Sequence, residues 1–402
     1  MASSSFISLL TSKLSSSSKV LQDATSTDFA ASMARWSNVD VKTPFAIVQP
    51  ASQEDVVVTV REALKAGIPF VPASGGHSPW STIGTDGIVI DLALCKGVEV
   101  DPQKNLVTVK GDTPFTGYGC ENIVSAKLGI QGAGQFLGLV TELTIKTYPY
   151  SILGNDNGKR MCSTYIFPPT QLNAVCAVLR TIAESSQYVS AGHLMIVQAP
   201  PDLKQQVLLV APQVFCSAED AAVFLQPLVE IGPIQQLLFP SSFENHSNHL
   251  DWICAKGDFK RFNQIGLPTW TTEGFRQLAE LHAELVAGCP DAARSGYTLE
   301  WHTPCKAERQ LKSSFGHEDV DYWLNVLSWY TDEANHEFVS DMDQRAQAAM
   351  RAGTHEEAFI SYTNTTREDP LEYRYRGADR VKRLKALKQE FDPTGVFTKE
   401  LL

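Results

Sequence analysis

The run Val71-Pro72-Ala73-Ser74-Gly75-Gly76-His77-Ser78 brings together the residue types of an anion cradle. Two adjacent glycines permit a tight turn and let backbone come close to a ligand. The hydroxyls of Ser74 and Ser78, with the N–H groups between them, offer donors to anionic oxygens. His77 adds a ring nitrogen suited to a base, a metal ligand or a point of covalent attachment. Gly132-Ala133-Gly134-Gln135-Phe136-Leu137-Gly138 is a second glycine-rich run. Its third glycine comes one residue late for a dinucleotide fingerprint, and a strand pattern follows where a helix is required, so no nicotinamide site is expected there. His246 and His249 lie three apart beside Glu244, but among Ser241, Ser242, Asn245, Ser247 and Asn248 they read as an exposed loop, and no metal is expected. His193, His302 and His317 read as histidines satisfied by the fold. Tyr118, Tyr362, Tyr373 and Tyr375 stand in or near polar or glycine-rich loops. A tyrosine of lowered pKa can act as a general base, although packing is the default role of each.

The elements around the first loop can be read from their periodicity. Phe45-Ala46-Ile47-Val48 predicts a strand, and Ser52 with Asp55 predicts the start of a helix. Val56, Val57, Val60, Ala63 and Leu64 form the apolar stripe of that helix, and Gly67 ends it. Ile68-Pro69-Phe70-Val71 then predicts a strand feeding directly into the Ser-Gly-Gly-His loop. Strands are also expected at Ile88–Leu92 and Leu139–Ile145, with a hairpin from Val98–Val100 and Leu106–Val109 and a further strand at Ile123–Leu128. Beyond Pro149 the pattern changes to strands at Ser163–Ile166, Leu194–Gln198, Val207–Val210, Tyr297–His302 and Ala358–Tyr362. Helices are expected near Thr170–Glu184, Ala218–Val229, Glu273–Ala287, Asp332–Arg351 and Asp379–Glu390. This is the pattern of an antiparallel sheet with helices on one face.

Composition bounds the function classes. The chain has 402 residues, enough for two cores, with 43% hydrophobic and 20% charged residues, ordinary for a globular protein. A net charge of −11 argues against a nucleic-acid partner or an anionic membrane surface. No apolar run is long enough to span a bilayer. Phe6-Ile7-Ser8-Leu9-Leu10 is too short for the core of a secretory signal, so the amino terminus is expected to be a surface helix with a flexible start and the address cytoplasmic. The eight cysteines are scattered without a CxxC pair, which predicts reduced and mostly buried thiols.

These residues together resemble the FAD-linked oxidoreductases with a PCMH-type (vanillyl-alcohol-oxidase-like) flavin domain, in the berberine-bridge-enzyme-like branch. Ala34-Arg35-Trp36, Pro44 to Pro50 and Glu54-Asp55-Val56 resemble the start of that domain, and Ser74 to Ser78 its pyrophosphate loop. Tyr118-Gly119-Cys120-Glu121-Asn122 is similar to a further step of the family, and Gly132 to Thr141, which includes Val140, to its GxGxFGxVT segment. Tyr362-Thr363-Asn364 through Asp392-Pro393-Thr394-Gly395-Val396-Phe397 resembles the carboxy-terminal berberine-bridge motif.

The resemblance implies an α+β fold of two domains: a PCMH-type FAD-binding domain over residues 36–150 and an antiparallel-sheet substrate domain over 151–357. Residues 1–35 precede them, and 358–402 return to the flavin domain. It implies FAD as cofactor, held by Ser74, Gly75, Gly76, Ser78, Val140 and Asn364, with His77 bonded to the flavin. It implies two-electron oxidation of a small alcohol, amine or sugar-like molecule, hydride passing to flavin N5 and then to dioxygen, with Tyr118 and Tyr362 as candidate bases.

The departures from the family are as specific as the matches. Lys110-Gly111 runs almost at once into Tyr118-Gly119, where relatives insert a helix and a cysteine-bearing glycine-rich loop that encloses the flavin. Cys120 lies beyond the position of that cysteine and does not replace it. A second gap follows Lys127-Leu128, where a strand, a helix and an arginine-glycine pair are expected. Thr365 stands where the family's Tyr-x-Asn-Tyr has its last tyrosine. A competing reading follows from these gaps: an inactive or truncated relative, free of flavin, acting as a binding or structural module.

Overall fold

The structure, a computed structural model, describes residues 2–111, 137–153, 158–242, 252–303, 316–317, 319–362, 365 and 368–397. Tyr118, Cys120, the strand expected at 123–128, Gly132 to Gln135, Glu244, His246, His249, Cys305 and Asn364 lie outside the described residues.

The amino-terminal part is built on a sheet of four strands: β1 (Lys19–Leu21), β2 (Ala46–Gln49), β3 (Phe70–Ala73) and β4 (Ile88–Asp91), in the order β1-β2-β4-β3. β2 and β3 both run parallel to β4. The crossover between β2 and β3 is the helix Gln53–Ala66. Its ends follow the sequence signals: the Ser52 side chain accepts from the Asp55 N–H, and Gly67 closes the helix in the left-handed region at φ 64°. The amino-terminal segment is not a loose surface element. Its helix, Ala2–Lys13, buries Phe6, Ile7 and Leu10 against the sheet. Ser15 then donates from its N–H and hydroxyl to the buried Asp55 carboxylate.

β5 (Lys96–Asp101), β6 (Leu106–Gly111) and β7 (Glu142–Lys146) form a separate antiparallel sheet. One face carries Thr108, Thr144, Glu99 and Lys110, joined by a hydroxyl hydrogen bond and an ion pair. Register puts Val98, Val100, Val107, Val109, Leu143 and Ile145 on the other. That face is apolar, yet Val98 and Val100 are 49% and 66% exposed.

The part of the chain expected to form the substrate domain is built on an eight-stranded sheet. Its strands are β8 (Arg160–Phe167), β9 (Ser190–Gln198), β10 (Gln206–Val214), β11 (Gln235–Ser241), β12 (Phe259–Leu267), β13 (Gly296–His302), β14 (Tyr322–Tyr330) and β15 (Ile360–Ser361). They lie in the order β11-β8-β10-β9-β13-β14-β12-β15, and neighbouring strands pair antiparallel. Helices Leu172–Glu184, Thr272–Gly288 and His336–Arg351 pack on one face, with Leu194, Ile196, Tyr297, Leu299, Leu324 and Val326 beneath them.

Sequence periodicity does not reveal β11, β12 or β14. β14 is buried nearly throughout, so it has no alternation to read. β12 mixes Lys260, Arg261, Asn263 and Gln264 into its interior. The helix expected at Ala218–Val229 is two short ones, Ala218–Phe224 and Gln226–Glu230, broken where Pro227 enters.

The polar interior of β12 serves a buried ion pair. Asp343 on the helix His336–Arg351 is fully buried and accepts from Arg261 Nε at 2.9 Å, Ser328 Oγ at 2.5 Å and Asn263 Nδ2 at 3.3 Å. This fixes the helix layer on β12 and β14. Replacing one partner strands a buried charge, so Arg261→Met is expected to lower stability by about 3–5 kcal/mol in urea unfolding. Adding Asp343→Asn is expected to recover part of that loss; equal losses for the single and double variants would show that the pair is not coupled.

Candidate functional site

The Ser74–Ser78 loop leaves the carboxyl end of the parallel strand β3, where open α/β sheets collect their ligands. The two glycines have different duties. A methyl group on Gly75 would lie 2.8 Å from the His77 ring, so Gly75 makes room for that imidazole. Gly76 sits at φ 74°, and a methyl there would meet the Ala34 carbonyl at 2.8 Å. Its own carbonyl accepts from Trp36 N–H at 2.8 Å. Ser74 Oγ donates to Gly111 O at 3.3 Å, and Gly111 N–H donates to Thr141 O at 2.8 Å. This brings Val140, exposed at the entry to β7, to the same side of the domain as the loop. Ser78 Oγ accepts from Trp80 N–H at 3.2 Å, and its hydroxyl hydrogen remains available to a ligand. His77 is exposed at the loop's end.

Arg35 braces the loop from behind. It is 2% exposed and donates through Nη1 to Ser32 O and through Nη2 to Ser81 O. Burial pulls its pKa below the ordinary arginine value, while the Asp91 charge opposes that shift. Asp91 accepts from Ser32 Oγ, Gln49 Nε2 and Ala93 N–H.

The second part of the site is the sheet face that the helices leave uncovered. Alternation puts His193, Thr298, Glu300, His302, Trp323, Asn325, Gln264 and Trp329 there. Glu300 accepts from Asn325 Nδ2 at 2.7 Å, and His302 Nε2 lies 2.7 Å from its other oxygen. Burial alone would raise the Glu300 pKa. The His302 hydrogen bond, the nearby His193 and the Asn325 amide outweigh it and hold the carboxyl down at about 2. Asn325 is 8% exposed, and its Oδ1 has no hydrogen-bond partner. An ionised carboxylate beside an unsatisfied amide oxygen is a ready acceptor pair for hydroxyl or ammonium donors.

Tyr362 closes the face at β15. Its ring stacks on His317 at 5.7 Å and meets Trp323 edge-on at 5.7 Å. Burial, with the charges of Arg376 and Arg380, pushes the His317 pKa down to about 4, so the ring is neutral at physiological pH. Tyr373 donates to Glu356, and Tyr375 is buried in the carboxy-terminal helices, so both pack rather than react. Those helices are clamped to the substrate domain by Arg376, which is bidentate to Asp319. The chain then returns to the flavin domain. Asp392 accepts from Val396 and Phe397 N–H groups, and the Phe397 ring packs on Phe70 at 5.7 Å.

Glu300 is not singled out by the sequence; His193 and His302 are expected there as histidines satisfied by the fold, and His302 does find its partner in Glu300. The available signal was the two-residue spacing of Glu300 and His302 within a strand, which places both on one face. Among the described residues no cluster of His, Cys, Asp and Glu suits a metal, six cysteines are free thiols, and no helix is long and apolar enough to cross a membrane.

Two measurements test this geometry. Gly76→Ala forces a methyl into the Ala34 carbonyl in a left-handed conformation, and is expected to cost about 1–3 kcal/mol in thermal unfolding and to lower bound flavin per chain. Glu300 has a depressed folded-state pKa, so its ionisation stabilises the fold above the ordinary value of 4.5 and that contribution is lost as pH falls towards about 2. Glu300→Gln should therefore be less stable than the parent at neutral pH, with the difference shrinking below pH 4.5; a constant difference would contradict the assignment.

Comparison with known proteins agrees with this arrangement. Residues 44–116 match the FAD binding domain family. The FAD-linked oxidoreductase hasG of Aspergillus fumigatus is 24% identical, covering 90% of this chain and 92% of its own length. That alignment runs over 443 positions, more than the 402 residues of this chain, so stretches of the relative have no counterpart here. The structure of BBE-like 1 from Physcomitrella patens superposes with a TM-score of 0.76 at 12% identity, covering 98% of both chains. A glucooligosaccharide oxidase from Acremonium strictum, which carries a 6-S-cysteinyl, 8α-N1-histidyl FAD, superposes with a TM-score of 0.73 at 16% identity, covering 99% of this chain and 98% of its own. The chain thus matches the FAD binding domain family over residues 44–116, is similar to an FAD-linked oxidoreductase over most of its length, and has the fold of BBE-like 1 and of the glucooligosaccharide oxidase.

Proposed function

We propose that the chain oxidises a small polar substrate, an alcohol, amine or sugar-like molecule, on the open face of the eight-stranded sheet, with dioxygen as the final acceptor. The observation that carries this reading is the ionised Glu300 beside the unsatisfied Asn325 Oδ1. The cradle fits FAD, because Gly76 is left-handed with no space for a side chain. Ser74, Gly75, Gly76 and Ser78 would hold the pyrophosphate, His77 would supply the covalent attachment, and Val140 and Asn364 would line the flavin side. Bound there, FAD supplies two-electron redox chemistry.

The protein's own groups bind and orient the substrate. Glu300 and Asn325 Oδ1 accept hydrogen bonds from the substrate's hydroxyl or amino group. His302, held by Glu300, is positioned to take the proton released as that group is oxidised, in the way a carboxylate-oriented imidazole acts as a base. Tyr362 stands three strands from Glu300, about 14 Å across the sheet, with Trp323 between them. It lies at the far end of the same sheet face. Neighbours that oxidise oligosaccharides favour the sugar-like member of the substrate class.

The test is kinetic and spectroscopic. Glu300→Gln is expected to lose more than about a hundredfold in kcat/KM while keeping its flavin, and Tyr362→Phe less than about tenfold. Colour that survives acid precipitation and vanishes in His77→Ala would establish the attachment. The competing flavin-free reading is favoured by the missing stretches of chain. A colourless protein that neither binds added FAD nor consumes oxygen would support it and sink the oxidase.

A further inference from the structure

We propose that Lys256, which comes from the substrate domain, is a pyrophosphate-binding residue of the flavin site, and that Lys260 is the positioning residue that presents it. The proposal rests on the FAD reading of the Ser74–Ser78 loop.

Lys256 lies in the turn before β12. Its ammonium comes within 3.3 Å of the point where a Gly76 side chain would begin, so it lies against the left-handed one of the loop's two glycines. Among the described residues Lys256 forms no ion pair, although the chain as a whole carries a net charge of −11. An unneutralised cation against a glycine loop, in an acidic protein, is an electrostatic invitation to an anion.

Arg35 makes the placement two-sided. Its Cδ lies 3.6 Å from the same point, its two terminal nitrogens are bound to Ser32 and Ser81 carbonyls, and its buried Nε has no acceptor. Gly76 is thus flanked by the Lys256 ammonium on one side and by the stem of Arg35, whose guanidinium is turned to the Ser32 and Ser81 carbonyls, on the other. The nearby carboxylate, Asp91, is occupied by Ser32, Gln49 and the Ala93 N–H. Backbone donors beside an unpaired ammonium suit a diphosphate better than a single carboxylate, because a diphosphate spreads its charge over several oxygens.

The position of Lys256 is set by its neighbours. The carbonyls of Ala255 and Gly257, one on each side of it, both accept from Lys260 Nζ, at 2.5 and 2.7 Å. The third acceptor of Lys260 is the Trp36 carbonyl at 2.9 Å, and Trp36 N–H is the group that holds Gly76 O. Gly257, at φ 94°, lets the turn close around the buried ammonium. One lysine therefore ties the turn that bears Lys256 to the segment around Trp36 that fixes Gly76. Cofactor binding and domain docking share these residues.

FAD and ADP titrations test the proposal. They are followed by tryptophan fluorescence in a His77→Ala background, so that covalent attachment does not mask affinity. ADP serves as the probe that carries the diphosphate without the flavin ring. Lys256→Gln is expected to weaken FAD and ADP in parallel by about tenfold, to flatten the dependence of Kd on salt, and to leave the melting temperature unchanged. Lys256→Arg should restore both affinities. Lys260→Met should weaken both ligands at least as much and should also lower the melting temperature. FAD and ADP affinities of Lys256→Gln within twofold of the parent would overturn the proposal while leaving the flavin reading intact. A parent that binds neither ligand would overturn the flavin reading, and this proposal with it.

Discussion

A buried lysine holds the two domains together. Lys260 is 2% exposed, and its three N–H donors meet three carbonyls, two from its own turn and one from Trp36 of the flavin domain. Its ammonium lies 4.2 Å from the centre of the Trp329 ring and 5.4 Å from that of Trp36. Burial lowers its pKa, opposed by the Asp258 charge and aided by Arg294. A cation in such a place is tolerable only when every donor is satisfied, and here each is. The neighbouring bonds are of the same kind: Trp36 Nε1 to Ile253 O, Gly257 N to Arg35 O, Asn38 N to Asp258 O, and Lys260 N to Ser37 Oγ. They align the segment 35–38, which backs the glycine loop, with the start of β12, so the cradle's position relative to the sheet is set by hydrogen bonds rather than by a broad apolar contact.

From that docked edge the open face runs inward. Trp329 and Asn325 are four residues apart on β14, about 13 Å of strand, and both belong to the face away from the helices. The helices Leu172–Glu184, Thr272–Gly288 and His336–Arg351 cover the other face with a large apolar core, which leaves this one free to carry polar groups. A single sheet thus provides both the core and the site: even positions of β13 hold Thr298, Glu300 and His302, and odd positions hold Tyr297, Leu299 and Trp301. A one-residue slip in register would exchange them, so the packing of Trp301 and Leu299 also fixes where Glu300 points.

Local signals made the cradle legible. The cap at Ser52, the stop at Gly67 and the Ser-Gly-Gly-His run all act within a few residues, and all appear in the structure at those positions. The substrate face was not legible, because its chemistry depends on register across four strands, two of which, β12 and β14, carry no alternation. Glu300 gains its meaning from Asn325 and His302, and only the pairing of β13 with β14 puts Asn325 beside it. Lys256 and Lys260 read in sequence as two ordinary lysines, and nothing local says that one is buried and the other lies against Gly76. The amino-terminal helix was misjudged for a similar reason: Phe6, Ile7 and Leu10 need the partner sheet before they have anything to bury against.

The departures from the family bear on how this site holds a cofactor. The relative's alignment exceeds the length of this chain, and the sequence lacks the helix and glycine-rich loop expected after Gly111. In the structure the small sheet β5-β6-β7 presents Val98, Val100 and Leu143 largely exposed, an apolar face of the kind a helix covers in a two-layer domain. A flavin domain with less wall of its own has fewer groups to grip a dinucleotide. Among the described residues, the groups placed for such contacts are the backbone of the cradle and those that the second domain brings across the Lys260 junction. On the proposed flavin reading, a larger share of the binding energy would come from the second domain, and domain docking would be a condition of cofactor binding rather than a consequence of it.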